Sequence, residues 1–181
     1  MVQSSTPPGG PVGEGVGEQI SDALAATVAA ARRRAARDGD RQIDTAHLLH
    51  SLLESDREVW ELLDGRDPGD PGDPGPRVGR LLGYLVQRSI GYGLRWQSSV
   101  EDSGAVPAIA DQPGGVPGWS PSATAALRLA RERARDRGAP HAEGVDLFAG
   151  VLADGECRAA EVLRRSGVDT DRLALRLQPV R

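Results

Sequence analysis

The sequence contains one pattern of apolar residues that recurs 99 residues further along the chain. In each copy these residues follow the three-to-four-residue period of one face of a helix. Because one short helical unit cannot bury its apolar face alone, the recurrence predicts a single domain made of two copies of that unit. The two sets are Ile20, Leu24, Val28, Ala31 and Ala35, and Trp119, Ala123, Leu127, Ala130 and Ala134.

Helix-terminating and helix-starting residues fall at matching places in the two halves. Gly39 and Gly138, also 99 residues apart, follow the first helix of each half and predict where it ends. Ser120 followed by Pro121 predicts the start of this helix in the second half, because serine caps helices and proline suits their first turn. The two long helices are therefore expected to begin and end in the same register.

A second helix follows in each half and completes the duplicated unit. Asp44 or Thr45 can cap it in the first half. Shorter helical patterns at 59–63 and 78–86 then lead to a prediction of an all-α fold with two pseudo-symmetric four-helix repeats and about eight helices. The predicted core of the second helices is Leu48, Leu49, Leu52 and Leu53, repeated as Leu147, Phe148, Val151 and Leu152.

Glycine and proline set the predicted boundaries of these units. Of the 23 glycines and 13 prolines, 24 fall within residues 1–18, 65–79 and 104–118. Such stretches cannot form helices, because proline lacks the N–H donor and glycine is entropically costly to order. We expect a disordered tail over 1–18 and a helical domain over 19–177, made of repeat one at 19–96 with an insertion at 65–76, a connector at 97–118, and repeat two at 119–177.

Composition excludes several classes of function. All 22 basic residues are arginine, so the lysine of a phosphate-binding loop or of a Schiff base is absent. A net charge of −4 argues against nucleic-acid binding through phosphate neutralisation. The longest apolar run, 23–31, is too short for a bilayer, no signal peptide is evident, and one cysteine forms no internal disulfide. We expect a cytoplasmic protein without nucleic-acid or membrane partners.

Two sets of side chains are candidates for chemical sites. Asp44, His47 and His50 lie on one predicted helix face and could hold a metal, but one face rarely completes a tetrahedral site, so we expect none. Cys157 lies at a predicted helix start, which could lower its pKa and make it a nucleophile. No partner histidine is suggested by the sequence, so the favoured interpretation is a small, semi-buried residue and a protein without catalytic residues.

The arginine-rich stretches at 32–34 and 128–137 are interpreted as solvated helix faces. In the second stretch Glu132 and Asp136 intervene, which gives mixed charge at helical spacing. Aromatic residues for stacking on single-stranded nucleic acid are not interleaved with these arginines.

Several motifs of the two halves resemble the amino-terminal domain of the Clp/Hsp100 unfoldases. That family combines two pseudo-symmetric repeats, each with a long Ala/Arg-rich helix, a Gly-Thr-Glu-His-Leu-Leu type motif and a closing Gly-x-Ala-Ala segment. The resemblance covers about 19–177 and is to a stand-alone protein of actinobacterial type, without the ATPase modules of the full unfoldases. The matching segments are Ile20-Ser21 with Asp44-Thr45-Ala46-His47-Leu48-Leu49, and Trp119-Ser120-Pro121 with Gly144-Val145-Asp146-Leu147 and the closing segment Gly155 to Val168.

The resemblance implies a non-enzymatic binding module without cofactors. In the family, a groove between the two repeat-opening helices binds adaptor segments and, in actinobacterial relatives, cyclic peptide antibiotics. The implied partners are peptides, adaptors or Clp-directed cyclic peptides, which the protein would sequester or deliver. The alternative is an adaptor or assembly factor that binds the Clp unfoldase or peptidase itself. The implied groove residues are Ile20, Leu24, Trp119, Ala123 and Arg128, and Trp119 can equally be a staple that packs at the helix start.

One motif position departs from the family pattern. In some members the threonine and glutamate of the motif help to hold phosphorylated arginine. This sequence keeps Thr45 but has Ala46 at the glutamate position, and repeat two has Gly144 and Val145. The resemblance therefore does not extend to phosphoarginine recognition, and Thr45 marks a degenerate motif position.

Overall fold

Eight helices and two very short strands make up the part of the chain that the structure describes. This computed structural model describes residues 19–64, 76–89, 101 and 118–178. The elements are α1 (Asp22–Asp38), β1 (Gln42–Ile43), α2 (Thr45–Ser55), α3 (Arg57–Asp64), α4 (Pro76–Ser89), β2 (Gly118–Trp119), α5 (Pro121–Asp136), α6 (Gly144–Leu152), α7 (Arg158–Arg165) and α8 (Thr170–Arg176). The prediction of an all-α fold with about eight helices is confirmed.

The long helices α1 and α5 begin at serine caps. The Ser21 hydroxyl accepts the N–H of Leu24 at 3.1 Å, and the Ser120 hydroxyl accepts the N–H of Ala123 at 3.0 Å. These bonds satisfy backbone donors that have no partner within the helix. Both helices are followed by a glycine with positive φ, which is 70° at Gly39 and 68° at Gly138.

Short backbone pairings connect each repeat to the other. β1 and β2 are parallel, with Ile43 opposite Trp119, and an isolated parallel bridge joins Ile20 to Ala142. Ile20 corresponds to Trp119 and Ile43 to Ala142 by the same shift of 99 residues, so the two pairings are equivalent under the repeat. In both halves, the residue two positions before the long helix therefore pairs with the residue two positions before the second helix of the other half.

The second helices form the centre of the core. α1 packs against α2 and α5 packs against α6, while α2 also contacts α6 and α7. Burial of each large apolar side chain contributes roughly 1.5–3 kcal/mol to folding. The predicted core is confirmed, since the buried side chains include Leu48, Leu49, Leu52, Leu53, Leu147, Phe148, Val151 and Leu152.

Several predicted irregular segments lie outside the described residues. The tail predicted over 1–18 is one of them, as are residues 65–75 of the insertion and most of the connector. Pro76, assigned to the end of the insertion, is instead the first residue of α4, where its missing N–H costs nothing. Glu101 of the connector is described and is buried. Within the described stretches, no helix combines the length and apolar character needed to cross a bilayer.

Candidate binding surface and the seam between the repeats

The five residues of the predicted groove differ in their access to solvent. Ile20, Leu24 and Ala123 are 8%, 1% and 0% exposed and belong to the hydrophobic core. Trp119 is half-buried against that core, and Arg128 is exposed, with its guanidinium 2.6 Å from the carboxylate of Glu132. The accessible part of the predicted set is therefore Trp119 and Arg128.

An arginine of repeat one covers the aromatic ring that opens repeat two. The guanidinium carbon of Arg32, on α1, lies 5.9 Å from the ring centroid of Trp119. A cation over an indole face at this distance is attracted by the ring and contributes about 0.5–1 kcal/mol at an exposed site. We call Trp119 and Arg32 the tryptophan surface. The sequence pattern identified Trp119 but placed Arg128 rather than Arg32 beside it.

A buried polar cluster joins the two repeats. We call Asp44, Thr45, Glu101, Ser120 and Arg158 the seam, and all five are buried. The carboxylate of Asp44 accepts a hydrogen bond from the Arg158 guanidinium at 2.6 Å, which links the start of α2 to the start of α7. Because a buried charge is costly unless it is paired, this ion pair depends on both partners.

Thr45, the degenerate motif position, is part of this seam. Its hydroxyl accepts the N–H of Ala159 at 3.1 Å and donates to Glu101. The sequence indicates Asp44 as a cap and Thr45 as a motif residue, but it does not point to Glu101 or Arg158. The repeat pattern gives no signal for either residue, since each lies far along the chain from its partners.

The fold does not bring together Asp44, His47 and His50, the candidate ligand set at which no metal was expected. The ligand atoms of Asp38, Asp40 and His47 lie within 4.8 Å of one another, whereas His50 contacts Glu54 at 3.3 Å. The Nε2 atom of His47 lies 2.8 Å from a carboxylate oxygen of Asp40, and its Nδ1 atom accepts a backbone N–H at 3.1 Å. Both ring nitrogens are thus engaged in orienting the start of α2.

His50 gives the folded protein a defined response to acid. The ring is buried, and this burial, assisted by Arg34 and opposed by Glu54, lowers its pKa from 6.5 to about 4. Between about pH 6.5 and about pH 4 the unfolded chain binds a proton at this ring that the folded chain does not bind. We expect the free energy of unfolding to decrease by up to about 3 kcal/mol from this group as the pH falls from about 6.5 to about 4.

Urea denaturation across this pH range tests the expectation. His50→Gln removes the titrating ring, so the variant is expected to lose stability less steeply between about pH 6.5 and about pH 4 than the wild type does. Equal slopes for the two proteins would contradict the assignment to His50.

Cys157 is a structural residue in this fold. Its thiol caps α7 by accepting the N–H of Ala160 at 3.4 Å, and it donates to the carbonyl of Val151 at 3.5 Å. The side chain is 1% exposed, and burial raises the pKa of the thiol to about 11. The helix start does not lower this pKa, because desolvation outweighs the hydrogen bonds that favour the thiolate, and the burial agrees with the favoured interpretation of a small packed residue. A protonated, buried thiol is a poor nucleophile.

Arginines of the two arginine-rich stretches form ion pairs, one within a helix and two between helices. Arg128 pairs with Glu132, and Arg137 binds Asp146 near the start of α6. On α1, Arg34 contacts Glu54 at 2.5 Å. The exposed Arg128–Glu132 pair on α5 agrees with the interpretation of a solvated, mixed-charge helix face, whereas the other two pairs connect neighbouring helices.

Comparison with solved structures agrees with the fold that the sequence predicts. The N-terminal domain of the caseinolytic protease associated chaperone ClpD from Arabidopsis thaliana matches with a TM-score of 0.60 and 20% identity, over 92% of this chain and 96% of that one. The Hsp104 N-terminal domain from Candida albicans matches with a TM-score of 0.62 and 12% identity, over 88% and 89% of the two chains.

A structure described as part of a malarial protein secretion system matches with a TM-score of 0.60 and 14% identity, over 88% of this chain and 92% of that one. No protein-family model matches the chain, and no curated protein matches it significantly. The chain therefore has the all-α fold of the ClpD and Hsp104 N-terminal domains.

Proposed function

We propose that this protein is a non-catalytic module that binds peptide or protein segments at the tryptophan surface. The observation that carries the proposal is the partly exposed ring of Trp119, which lies at the start of repeat two beneath the Arg32 guanidinium of repeat one. Tryptophan and arginine are among the residues most enriched at positions that dominate binding energy in protein interfaces. The surface combines both of them at the junction of two helical repeats.

The chemistry of this surface favours a ligand with an apolar anchor beside acidic groups. Trp119 offers a large, rigid apolar face, which loses little rotamer entropy on binding. Arg32 is exposed on α1, so its guanidinium places a positive charge directly over the ring. An acidic segment is attracted by this charge, which favours its rate of encounter as well as its orientation.

The fold of ClpD and Hsp104 N-terminal domains supports a place in Clp-related proteostasis. We propose that the ligands are substrates, adaptors or Clp-directed cyclic peptides that the protein sequesters or delivers. Sequestration follows mass action, so it requires a concentration of free protein above the dissociation constant. The buried thiol of Cys157 agrees with binding without chemistry.

The alternative proposal is an adaptor or assembly factor for the Clp protease complex itself. The two proposals differ in the partner, so they are separated by measuring binding to purified unfoldase and peptidase subunits. Direct binding of a subunit in the absence of peptide favours the alternative. Binding of peptides without any affinity for the subunits favours sequestration or delivery.

Binding assays on Trp119 and Arg32 variants test the proposal. The probes are fluorescently labelled peptides with one aromatic anchor flanked by acidic residues, the same peptides with basic flanks, and Clp-directed cyclic peptides. We expect Trp119→Ala to weaken binding of the acidic peptide by about tenfold or more, the loss typical of a dominant interface residue, and Arg32→Ala to weaken it less.

Arg33→Ala is the matched control, because Arg33 is an exposed arginine adjacent to Arg32 on α1. This variant is expected to bind nearly as tightly as the wild type. Circular dichroism confirms that each variant is folded before binding is compared. Affinity that is equal in the wild type and in both site variants would place binding elsewhere.

A further inference from the structure

A single glutamate from the predicted connector lies within the seam. The Oε2 atom of Glu101 accepts the N–H of Thr45 at 2.9 Å and the hydroxyl of Ser120 at 2.6 Å. Its Oε1 atom accepts the N–H of Arg158 at 2.9 Å and the hydroxyl of Thr45. The carboxylate thus receives four hydrogen bonds from three elements, namely the starts of α2 and α7 and the cap of α5.

These four donors together define a site for an oxyanion. Two are backbone N–H groups in the first turns of α2 and α7, where the helix dipole favours negative charge. The other two are hydroxyls that lie in the same buried space. An ionised carboxylate has enough lone pairs to accept all four bonds, and hydrogen bonds to a charged acceptor are about twice as strong as neutral ones.

The equivalent place in the other half is also filled by a carboxylate. Gly144, which corresponds to Thr45, begins α6, and a Cβ atom at this position would overlap Oδ2 of Asp56. Asp56 also caps α3, since its Oδ1 atom accepts the N–H of Val59 at 3.1 Å. Asp56, which caps α3 in repeat one, therefore also covers the start of α6 in repeat two.

The difference between the two halves explains the place of Glu101. The cap of α7 is Cys157, whose buried thiol carries no charge. In one half, Asp56 at the cap of α3 places a carboxylate beside Gly144. In the other half, Cys157 at the cap of α7 cannot place a carboxylate beside Thr45. Glu101 supplies a carboxylate from a distant position, and its own N–H donates to the side chain of Gln42 at 3.0 Å.

We propose that the seam contains an oxyanion site and that Glu101 is its internal ligand, which closes the site to free carboxylates and phosphates. The same contact holds the starts of α2, α5 and α7 together. This inference does not depend on the tryptophan surface, because the site is occupied by the chain itself. Loss of the Glu101 carboxylate leaves four donors without their acceptor and opens a space that a small anion fits.

Thermal denaturation of Glu101→Ala in different salts tests the inference. The probes are acetate and inorganic phosphate, each compared with chloride at equal ionic strength and pH. We expect the variant to have a lower Tm than the wild type in chloride. Acetate or phosphate is expected to raise its Tm saturably, by about 3–5 °C at about ten times the dissociation constant, beyond the non-saturating stabilisation that an excluded salt gives the wild type.

The comparison of the two anions identifies which oxyanion the open site prefers. Glu132→Ala is the control, because Glu132 is a glutamate on the surface of α5, and this variant is expected to respond as the wild type does. A Glu101→Ala protein with the same response to all three salts as the wild type would overturn the proposal. If this variant is unfolded in chloride, acetate or phosphate should restore its helical circular dichroism, and failure of both anions to do so would equally overturn it.

Discussion

Asp44→Ala is expected to lower the free energy of unfolding by about 3–5 kcal/mol, a large part of the stability of a typical domain. The carboxylate of Asp44 is 0% exposed, and it binds the Arg158 guanidinium at 2.6 Å and the N–H of His47 at 3.0 Å. Its removal leaves the buried guanidinium without this counter-ion and α2 without its cap. Urea denaturation followed by circular dichroism measures the loss.

Asp169→Ala separates the capping effect from the effect of the ion pair. Asp169 caps α8 by accepting the N–H of Arg172 at 2.9 Å, but it is exposed to solvent. Loss of such a cap costs about 1 kcal/mol. The double variant Asp44→Ala, Arg158→Met is expected to lose less than the sum of its single variants, because it buries no unpaired charge. Equal losses for Asp44→Ala and Asp169→Ala would contradict this role of the seam.

Gly150→Ala is expected to destabilise the protein by about 1–3 kcal/mol, although alanine normally stabilises a helix relative to glycine by up to about 1 kcal/mol. Gly150 lies on α6, and a Cβ atom there would overlap the carbonyl oxygen of Ala126 on α5. Because that neighbour is backbone, the two helices must move apart to make room. The lost packing lies at the contact between α5 and α6 within repeat two.

Gly83→Ala is the matched control for this substitution. Gly83 lies on α4 and is exposed, and no atom of the described residues lies within 4 Å of the position that the alanine methyl group would take. The control is expected to be neutral or more stable by up to about 1 kcal/mol. Thermal or urea denaturation of both variants gives the two values. Stabilisation by Gly150→Ala would show that α5 and α6 are not in close contact at this point.

The sequence predicted the features that depend on local patterns. Hydrophobic periodicity revealed the two copies that lie 99 residues apart. The serine caps and the terminating glycines were recognised from the chemistry of a few neighbouring residues. The same patterns identified the core leucines of α2. The sequence therefore predicts the pseudo-symmetry, because each half carries its own copy of these signals.

The candidate site depended on contacts that local patterns do not encode. Hydrophobicity at helical spacing placed Ile20 and Leu24 on the apolar face of the first long helix and Ala123 on that of the second. The same spacing does not distinguish the wall of a groove from the core, in which all three residues lie. The Arg32–Trp119 contact and the carboxylate of Glu101 in the seam join residues from different repeats or from the connector. Such contacts arise only when the halves pack together, so composition and periodicity could not predict them.

The most direct test of the binding proposal is an NMR titration of the isotope-labelled protein with the acidic aromatic peptide. We predict that the largest shifts occur at the indole N–H of Trp119 and at the amides of Arg32 and its neighbours on α1. Assignment of the indole signal by Trp119→Phe distinguishes this ring from the two other tryptophans of the chain. Binding shifts that leave the Trp119 indole and the amide of Arg32 unmoved would contradict the account.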